Sequence, residues 1–387
     1  MSHPHAAIAA LEQDVVALQW SQLDRRHLSY PDIAPIVDEL AQHEGLRVAT
    51  IGDSYLGTPI KRLSIGQGPL VVLAWTQMHG DEPTATAAVL DWLRLLLERT
   101  PASLPGDWQE LITLHVIPML NPDGAAQNTR QNAQGIDINR DALVQQSPEG
   151  RLLWQQVQDL QPTVAFNLHD QNPYYAVGDS AEPATIAFLA PAYHPDKHVD
   201  SARLQAKQLI AHMRQILSHW LPQGTARYDD SYSARSFGDT IAGTGASTIL
   251  IESGAHRDDP HRQVARRLNV IALQTALEAL LSDVHRGQTL ADYYGIPANT
   301  ADGFCDIKLT QVTVSDGTHE PFQTDICICR NKGSQSLYVD FIGDARGVHG
   351  FVEHDARQLT LPGLVKVGEV AEPLLRLLGL SRENSNG

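Results

Sequence analysis

Stretches of apolar residues separated by polar turns divide most of the chain into alternating strands and helices. The run 70–75 is apolar at every position, which is typical of a strand covered by helices on both faces. The segment 84–99 instead repeats its apolar residues with helical spacing. We predict further buried strands at 111–117, 163–168 and 248–251, short β-type runs at 47–51 and 60–65, and helices at about 148–160, 197–220 and 260–284. These elements predict an α/β fold over about 45–285, with a mixed, largely parallel sheet flanked by helices.

The two ends of the chain have different patterns. Residues 6–44 have helical character, interrupted at Pro31 and Pro35. After residue 290, we predict strands at 306–314, 324–330, 336–342 and 358–361, followed by a helix at 369–378. We therefore expect an N-terminal helical segment (1–44), a central α/β domain (45–290) and a small, mainly β C-terminal domain (291–387).

Composition and charge narrow the class of protein. The 387 residues include 29 Lys and Arg against 45 Asp and Glu, so the formal net charge is −16. Such an acidic chain is not expected to bind nucleic acid, which requires basic surface. No apolar run is long enough to span a membrane, and the N-terminus lacks the pattern of a signal peptide. The three cysteines suggest neither a disulfide framework nor a four-cysteine zinc site, and we expect a cytoplasmic protein.

Polar residues directly follow the buried strands. Strand 70–75 leads to His79 and Glu82, strand 163–168 to His169, and strand 248–251 to Glu252. In open α/β sheets, ligands bind outside the carboxyl ends of the strands, so these side chains are expected at one site. A histidine and a glutamate three residues apart can chelate one ion, and imidazole with carboxylate suits zinc.

A third ligand and a base are also available. Two histidines and one glutamate with an open fourth position are a catalytic zinc arrangement, and His169 would complete it. The alternative is a histidine that merely ends a strand, and His115 is better explained as a core residue. Partial burial would raise the pKa of Glu252 toward a range useful to a general base, although a solvated or helix-capping glutamate is the alternative. Asp170 either supports His169 or is solvated.

The loop 128–141 contains two arginines, Arg130 and Arg140, and several amides around a glycine. A guanidinium group pairs with a carboxylate through two hydrogen bonds, so this loop could hold an acidic substrate group. The alternative is an ordinary polar surface loop that includes a helix cap.

Taken in order, these segments resemble the zinc carboxypeptidase family (metallocarboxypeptidases, peptidase M14-like). The resemblance covers about 45–285, and its most specific part is 130–140. It implies one zinc ion per chain, held by His79, Glu82 and His169. It further implies that Arg130 polarises the scissile carbonyl and that Glu252 is the general acid/base.

The resemblance also implies how a substrate is held. Asn139 and Arg140 match the pair that binds the substrate's terminal carboxylate. Tyr232 would match the tyrosine that lines the site in many members, with Tyr228 as the other candidate. His169 comes only 87 positions after Glu82, a shorter spacing than in digestive-type members, so we expect a more open cleft.

The implied activity is zinc-dependent amide hydrolysis that releases the C-terminal residue of a peptide. One alternative is a zinc deacylase or amidase that acts on N-acyl amino acids or cell-wall peptides. A non-enzymatic zinc-binding or peptide-binding protein is a further alternative, but binding alone does not require a base at Glu252. In both enzymatic interpretations the expected partner is a peptide or a small N-acyl amino acid with a free carboxylate.

Overall fold

A computed structural model of the chain describes residues 3–99, 101, 103–332 and 334–380. Residues 1–2 and 381–387, which belong to the first and last predicted domains, lie outside the described residues. The described chain forms two compact units. The first comprises the residues up to Asn172 together with Ala184–Asn299, and the second comprises Pro173–Pro183 with the residues from Thr300 onward.

The helices and strands alternate through most of the chain. The α-helices are α1 (His3–Leu18), α2 (Tyr30–Leu40), α3 (Thr84–Glu98), α4 (Trp108–Leu111), α5 (Pro122–Gln127), α6 (Pro148–Leu160), α7 (Ser201–Leu217), α8 (Phe237–Ala242), α9 (Gln263–Ser282), α10 (Leu290–Tyr294) and α11 (Glu372–Leu377). The strands are β1 (Leu46–Asp53), β2 (Pro59–Gly66), β3 (Leu70–Thr76), β4 (Ile112–Ile117), β5 (Val164–Asp170), β6 (Ala176–Val177), β7 (Ile186–Leu189), β8 (Thr225–Arg227), β9 (Ser247–Ser253), β10 (Asn299–Thr300), β11 (Phe304–Ser315), β12 (Phe322–Arg330), β13 (Leu337–Gly343), β14 (His349–Asp355) and β15 (Thr360–Pro362).

The first unit is built on an eight-stranded sheet in the order β1-β2-β4-β3-β5-β9-β7-β8. Its centre, β4-β3-β5-β9, is parallel, whereas the pairs β1–β2, β2–β4 and β7–β9 are antiparallel and the pair β7–β8 is parallel. Both faces of β3 are buried: Val72 and Ala74 pack in the core that contains α3 and α9, and Leu73 and Trp75 in the core that contains α6 and α8. The predicted fold, a mixed and largely parallel sheet flanked by helices, is confirmed.

The N-terminal helices differ from the prediction. The expected interruptions at Pro31 and Pro35 are wrong. Helix α2 begins at Tyr30 and includes both prolines. Pro31 lies in the first turn, where no intrahelical bond requires its missing N–H. Asp32 supports this start by accepting hydrogen bonds from the N–H (2.9 Å) and hydroxyl (2.7 Å) of Ser29. The interruption instead lies between Leu18 and Tyr30.

A buried ion pair explains why the N-terminal segment belongs to the first unit. Arg266 and Asp91, each about 1% exposed, pair at 2.7 Å. Trp20 donates its N–H to Asp91 (2.9 Å), and its carbonyl accepts from Arg266 (3.0 Å). The backbone at Trp20 is thereby tied to α3 and α9, so the unit does not divide at the predicted border 44/45.

The second unit contains a five-stranded sheet in the order β13-β12-β11-β14, with β15 paired to β11. Its core is formed mainly by residues of β11, β12, β13 and α11. The short segment Pro173–Pro183 is part of this unit, because the hydroxyl of Tyr174 donates to Asp306 (2.5 Å) and accepts from the N–H of Arg330 (2.8 Å). The β-rich C-terminal region is therefore present, although its part of this unit begins at Thr300 and the unit also includes Pro173–Pro183. Among the described helices, none is long and apolar enough to cross a membrane.

Candidate metal centre

The candidate site lies at the carboxyl ends of three neighbouring strands. His79 and Glu82 are in the turn between β3 and α3, His169 is near the end of β5, and Glu252 is near the end of β9. His169 and Glu252 are direct register partners in the parallel pair β5–β9. Because parallel strands end at the same edge, the sheet brings together residues that are distant in sequence, as expected.

A close backbone approach shapes the turn that carries His79. An added Cβ at Gly80 would lie 2.0 Å from the carbonyl carbon of Gly124, so only glycine fits here. The side chain of Gln77 donates to the carbonyls of Gly80 (2.9 Å) and Leu28 (2.8 Å). Gln77 itself has a left-handed backbone with φ of 47°. The close approach to Gly124 and the hydrogen bonds of Gln77 together fix this turn, and they therefore fix the position of His79.

His79, Glu82 and His169, the buried His-Glu-His group, bring their ligand atoms close together. The Nδ1 atoms of the two histidines are 3.2 Å apart, and each lies 2.8 Å from one oxygen of Glu82. Tetrahedral zinc with bonds of about 2.0–2.1 Å would place its ligand atoms roughly 3.3 Å apart. All three side chains are at most 5% exposed. This donor set and spacing fit a metal ion, and zinc suits them chemically.

Asp137 orients His79 from the other side of the ring. Its Oδ1 lies 3.1 Å from Nε2 of His79, which leaves Nδ1 directed toward Glu82. Such a second contact on a ligating histidine fixes the ring and its tautomer. Burial lowers the pKa of His79, but Glu82 and Asp137 outweigh this effect and raise the pKa to about 9.

The charge balance of the other two ligands suits a cation. Burial raises the pKa of Glu82, but the two histidines outweigh it and hold the pKa well below the usual range. Burial lowers the pKa of His169, which favours the neutral imidazole that a metal needs. Nε2 of His169 is buried and has no hydrogen-bond partner among the described residues.

Arg130 lies beside this group. Its Nη1 is 3.2 Å from Nδ1 of His79 and 3.4 Å from Oε1 of Glu82, and its Nε donates to Asp137 at 3.0 Å. The loop that carries it is held by Asn132, which donates to the buried Glu149 at 2.8 Å. The side chain of Arg130 is 39% exposed, so it borders both the buried ligands and solvent.

Asn139 and Arg140 are packed against the segment that begins α8. The carboxamide oxygen of Asn139 accepts the N–H of Phe237 (3.0 Å), so its orientation is defined. Nη1 of Arg140 donates to the carbonyl of Asn139 (2.7 Å) and to the hydroxyl of Ser236 (3.2 Å). Within the part of the chain that the structure describes, the amide nitrogen of Asn139 has no partner, which leaves a donor for a ligand.

Glu252 is a buried carboxylate whose Oε2 has no hydrogen-bond partner among the described residues. Burial, together with the charges of Glu82 and Asp170, raises its pKa well above the usual range. Asp170 is also buried and accepts from Thr84 (2.7 Å), while its N–H donates to Glu82 (3.2 Å). The side chain of Asp170 is 7% exposed, so it supports the ligands through these contacts rather than facing solvent, and burial raises its pKa to about 6.

Two other candidates lie outside the buried His-Glu-His group. Tyr232 is half-buried in the segment between β8 and α8, and no hydrogen bond in the described chain joins it to the ligands. His115 lies within β4, where its Nδ1 is 2.7 Å from the hydroxyl of Ser64, in agreement with a core position. Burial and nearby arginines lower its pKa to about 4.

Sequence reasoning assigned no role to Asp137, Asn132 or Glu149. Asp137 and Asn132 lie inside the loop 128–141, which was already recognised for its arginines. The one available sequence signal for Asp137 was therefore its position two residues before Asn139. Its partner His79 is 58 residues away in the sequence, so spacing could not connect the two residues.

Comparison with known proteins finds carboxypeptidases. Residues 35–191 match the family model described as zinc carboxypeptidase. Carboxypeptidase SOL1 of Arabidopsis thaliana is 28% identical over 180 residues, a match that covers 38% of this chain and 36% of that protein. The match thus spans about a third of the length of this curated relative. The resemblance to zinc carboxypeptidases is confirmed.

Solved structures show the same fold at low identity. A metallo-carboxypeptidase from Burkholderia cenocepacia has a TM-score of 0.53 and 17% identity, covering 68% of this chain and 70% of its own. One from Pseudomonas aeruginosa, in complex with (2-guanidinoethylmercapto)succinic acid, has a TM-score of 0.51 and 20% identity, with coverage of 66% and 70%. Carboxypeptidase A from Helicoverpa armigera has a TM-score of 0.52 and 17% identity, with coverage of 70% and 80%.

Proposed function

Starting from the match of residues 35–191 to the zinc carboxypeptidase family, we propose that this protein is a zinc-dependent hydrolase that releases the C-terminal residue of a peptide. The observation that carries the proposal is the buried His-Glu-His group beside Glu252, a buried carboxylate without a partner among the described residues. Binding alone would not require that carboxylate. A group of this kind is the expected general base of an amide hydrolase.

One zinc ion per chain would be held by His79, Glu82 and His169. When bound, zinc would polarise the scissile carbonyl and lower the pKa of a water molecule. The donor set supports zinc, because two imidazoles and one carboxylate leave a position open for water or substrate.

The protein's own groups would move the proton and hold the charge. Glu252 takes the proton of the attacking water and then passes it to the leaving amine. Its raised pKa makes it a better proton acceptor than an ordinary carboxylate. Arg130, which is partly exposed beside the ligands, stabilises the charge that develops on the carbonyl oxygen.

Asn139 and Arg140 would bind the terminal carboxylate of the substrate. Support comes from the fixed orientation of Asn139 and from the guanidinium group of Arg140 next to it. A charge-assisted pair of this kind selects a free C-terminus. Tyr232 stays a candidate for contact with the substrate, because the segment that carries it leads directly into α8.

A cytoplasmic location is also part of the proposal. Its support is the three buried cysteines, Cys305, Cys327 and Cys329, which are all unpaired thiols. Unpaired thiols are usual in reducing compartments. Fractionation of the source cells, followed by detection with an antibody against the protein, would test the location.

The activity is tested with three matched substrates: an N-blocked dipeptide with a free carboxylate, the same dipeptide amidated at its C-terminus, and an N-acyl amino acid. We expect chelator-sensitive hydrolysis of the first, restored by zinc, and at least about tenfold slower hydrolysis of the second. Glu252→Gln protein measures the background. Equal rates on the amidated dipeptide would favour an amidase, and faster hydrolysis of the N-acyl amino acid would favour a deacylase.

A further inference from the structure

A second group of metal-ligand type lies on the surface of the first unit. His194, Asp196 and His198, which we call the 194–198 group, place three ligand atoms within 4.8 Å of one another. Oδ2 of Asp196 is 3.4 Å from Nδ1 of His194 and 3.4 Å from Nε2 of His198. These separations are close to the roughly 3.3 Å between ligands of a tetrahedral ion.

The loop that carries this group is held in place from below. Arg203, only 3% exposed, donates to the carbonyls of Lys197 (2.6 Å), His198 (3.2 Å) and Ala190 (3.2 Å). The N–H of Lys197 donates to the carbonyl of His194 (2.9 Å), which closes a turn. Fixed ligands lose less conformational freedom on binding, so this anchoring favours a site over a random surface cluster.

The positive charge nearest the group is neutralised by a separate contact. Nζ of Lys197 pairs with Oδ1 of Asp230 at 2.7 Å, and Arg203 pairs with the other oxygen of Asp230 at 2.8 Å. Asp196 is therefore left to the two histidines. Nδ1 of His194 also accepts the N–H of Asp196 at 3.2 Å, and a metal ion bound at this nitrogen would replace that contact.

We propose that the 194–198 group is a second, exposed site for zinc or a similar late first-row divalent ion. Two imidazoles and one carboxylate are ligands of this ion class. The side chains are 51–70% exposed, so water would complete the coordination. Exposure also makes this site weaker than the buried one, because hydrated ligands gain less from binding.

Calorimetric titration of chelator-stripped, full-length protein with zinc tests this site. The wild-type protein should show two classes of sites, of which the weaker disappears in the double variant His194→Ala/His198→Ala. Asp196→Asn should weaken the same class by at least about tenfold. His319→Ala is the matched control, because His319 also pairs with an aspartate, Asp316 at 2.7 Å, but belongs to no three-ligand group among the described residues.

The outcomes separate this site from the proposed activity. Loss of the weak class in the double variant, with an unchanged thermal unfolding midpoint, supports the proposal. Absence of the weaker class in the wild-type protein, or its persistence in the double variant, overturns it. Because the buried class is measured in the same titration, its absence would contradict the proposed function without affecting the 194–198 group.

Discussion

Two groups of two histidines and one carboxylate occur among the described residues, and they share a donor set but not an environment. The buried His-Glu-His group has ligands at most 5% exposed, and they join the ends of two strands. The 194–198 group lies within one exposed loop. The same set of donor atoms therefore occurs once inside the protein, in the buried His-Glu-His group, and once exposed to solvent, in the 194–198 group.

Burial changes what each group must do. Buried polar atoms without partners destabilise a protein, so the lone pairs of the buried group must share either protons or a metal ion. The atoms of the 194–198 group can instead be hydrated at little cost. In the buried group, Asp137 also contacts Nε2 of His79 and fixes the orientation of its ring. We therefore expect tight metal binding and catalysis in the buried group, and only reversible binding in the exposed one.

The largest expected effect comes from removing a ligand of the buried group. His169→Ala should lose the tightly bound zinc and reduce kcat/KM by on the order of 10³-fold or more. Metal analysis and hydrolysis of the blocked dipeptide would measure both. His198→Ala is the control and should keep both the tightly bound zinc and the activity. Full zinc content in His169→Ala would rule out His169 as a ligand.

The next effect separates catalysis from binding. Glu252→Gln keeps the size and hydrogen bonding of the side chain but cannot accept a proton, so activity should fall by about 10²-fold or more. Zinc content and folding should stay unchanged, because three other residues supply the ligands. If the variant loses its metal, Glu252 is a ligand, and if it keeps full activity, the base is another residue, with Asp170 the next candidate.

A smaller effect concerns the substrate carboxylate. Arg140→Ala should lose about 1.5–3 kcal/mol of transition-state binding, which corresponds to roughly 10–150-fold in kcat/KM. The loss should be confined to substrates with a free C-terminus. Arg235→Ala is the matched control, because Arg235 is an exposed arginine near Ser236. Equal losses of kcat/KM on free and amidated substrates would show that Arg140 does not bind the terminal carboxylate.

The smallest effect tests the contact that distinguishes the buried group. Asp137→Asn should weaken zinc binding by about 10–100-fold, because a neutral partner orients His79 less strongly and makes it a weaker ligand. Competition with a chromophoric chelator would measure the affinity. An unchanged zinc affinity in Asp137→Asn would mean that burial alone distinguishes the two groups.

The features that sequence predicts best are those that depend on local pattern and chain order. The strand 70–75 and the parallel centre of the sheet follow from apolar runs, and the strand ends then bring His79 near His169. The short strands β7 and β8 and the later strand β14 were missed, because β7 and β8 have only four and three residues and the seven residues of β14 mix polar and apolar side chains. Pro31 misled the prediction, because a proline in the first turn of a helix favours the start of that helix, and Pro35 is accommodated inside α2.

The parts of the site that depend on tertiary contact could not be predicted. Asp137 supports His79 only because the loop 128–141 folds back over the turn after β3. Likewise, His194, Asp196 and His198 are close in sequence, but the sequence does not show that Arg203 anchors the loop that carries them. Spacing therefore identified candidate ligands, whereas packing determines which of them converge.

The most direct test of the account is anomalous X-ray diffraction at the zinc edge from crystals of the zinc-loaded protein. We predict the strongest anomalous peak within about 2.0–2.2 Å of Nδ1 of His79, Nδ1 of His169 and a carboxylate oxygen of Glu82. A weaker peak at the 194–198 group would agree with the second site. A strongest peak elsewhere, or none between these three side chains, would contradict the central claim.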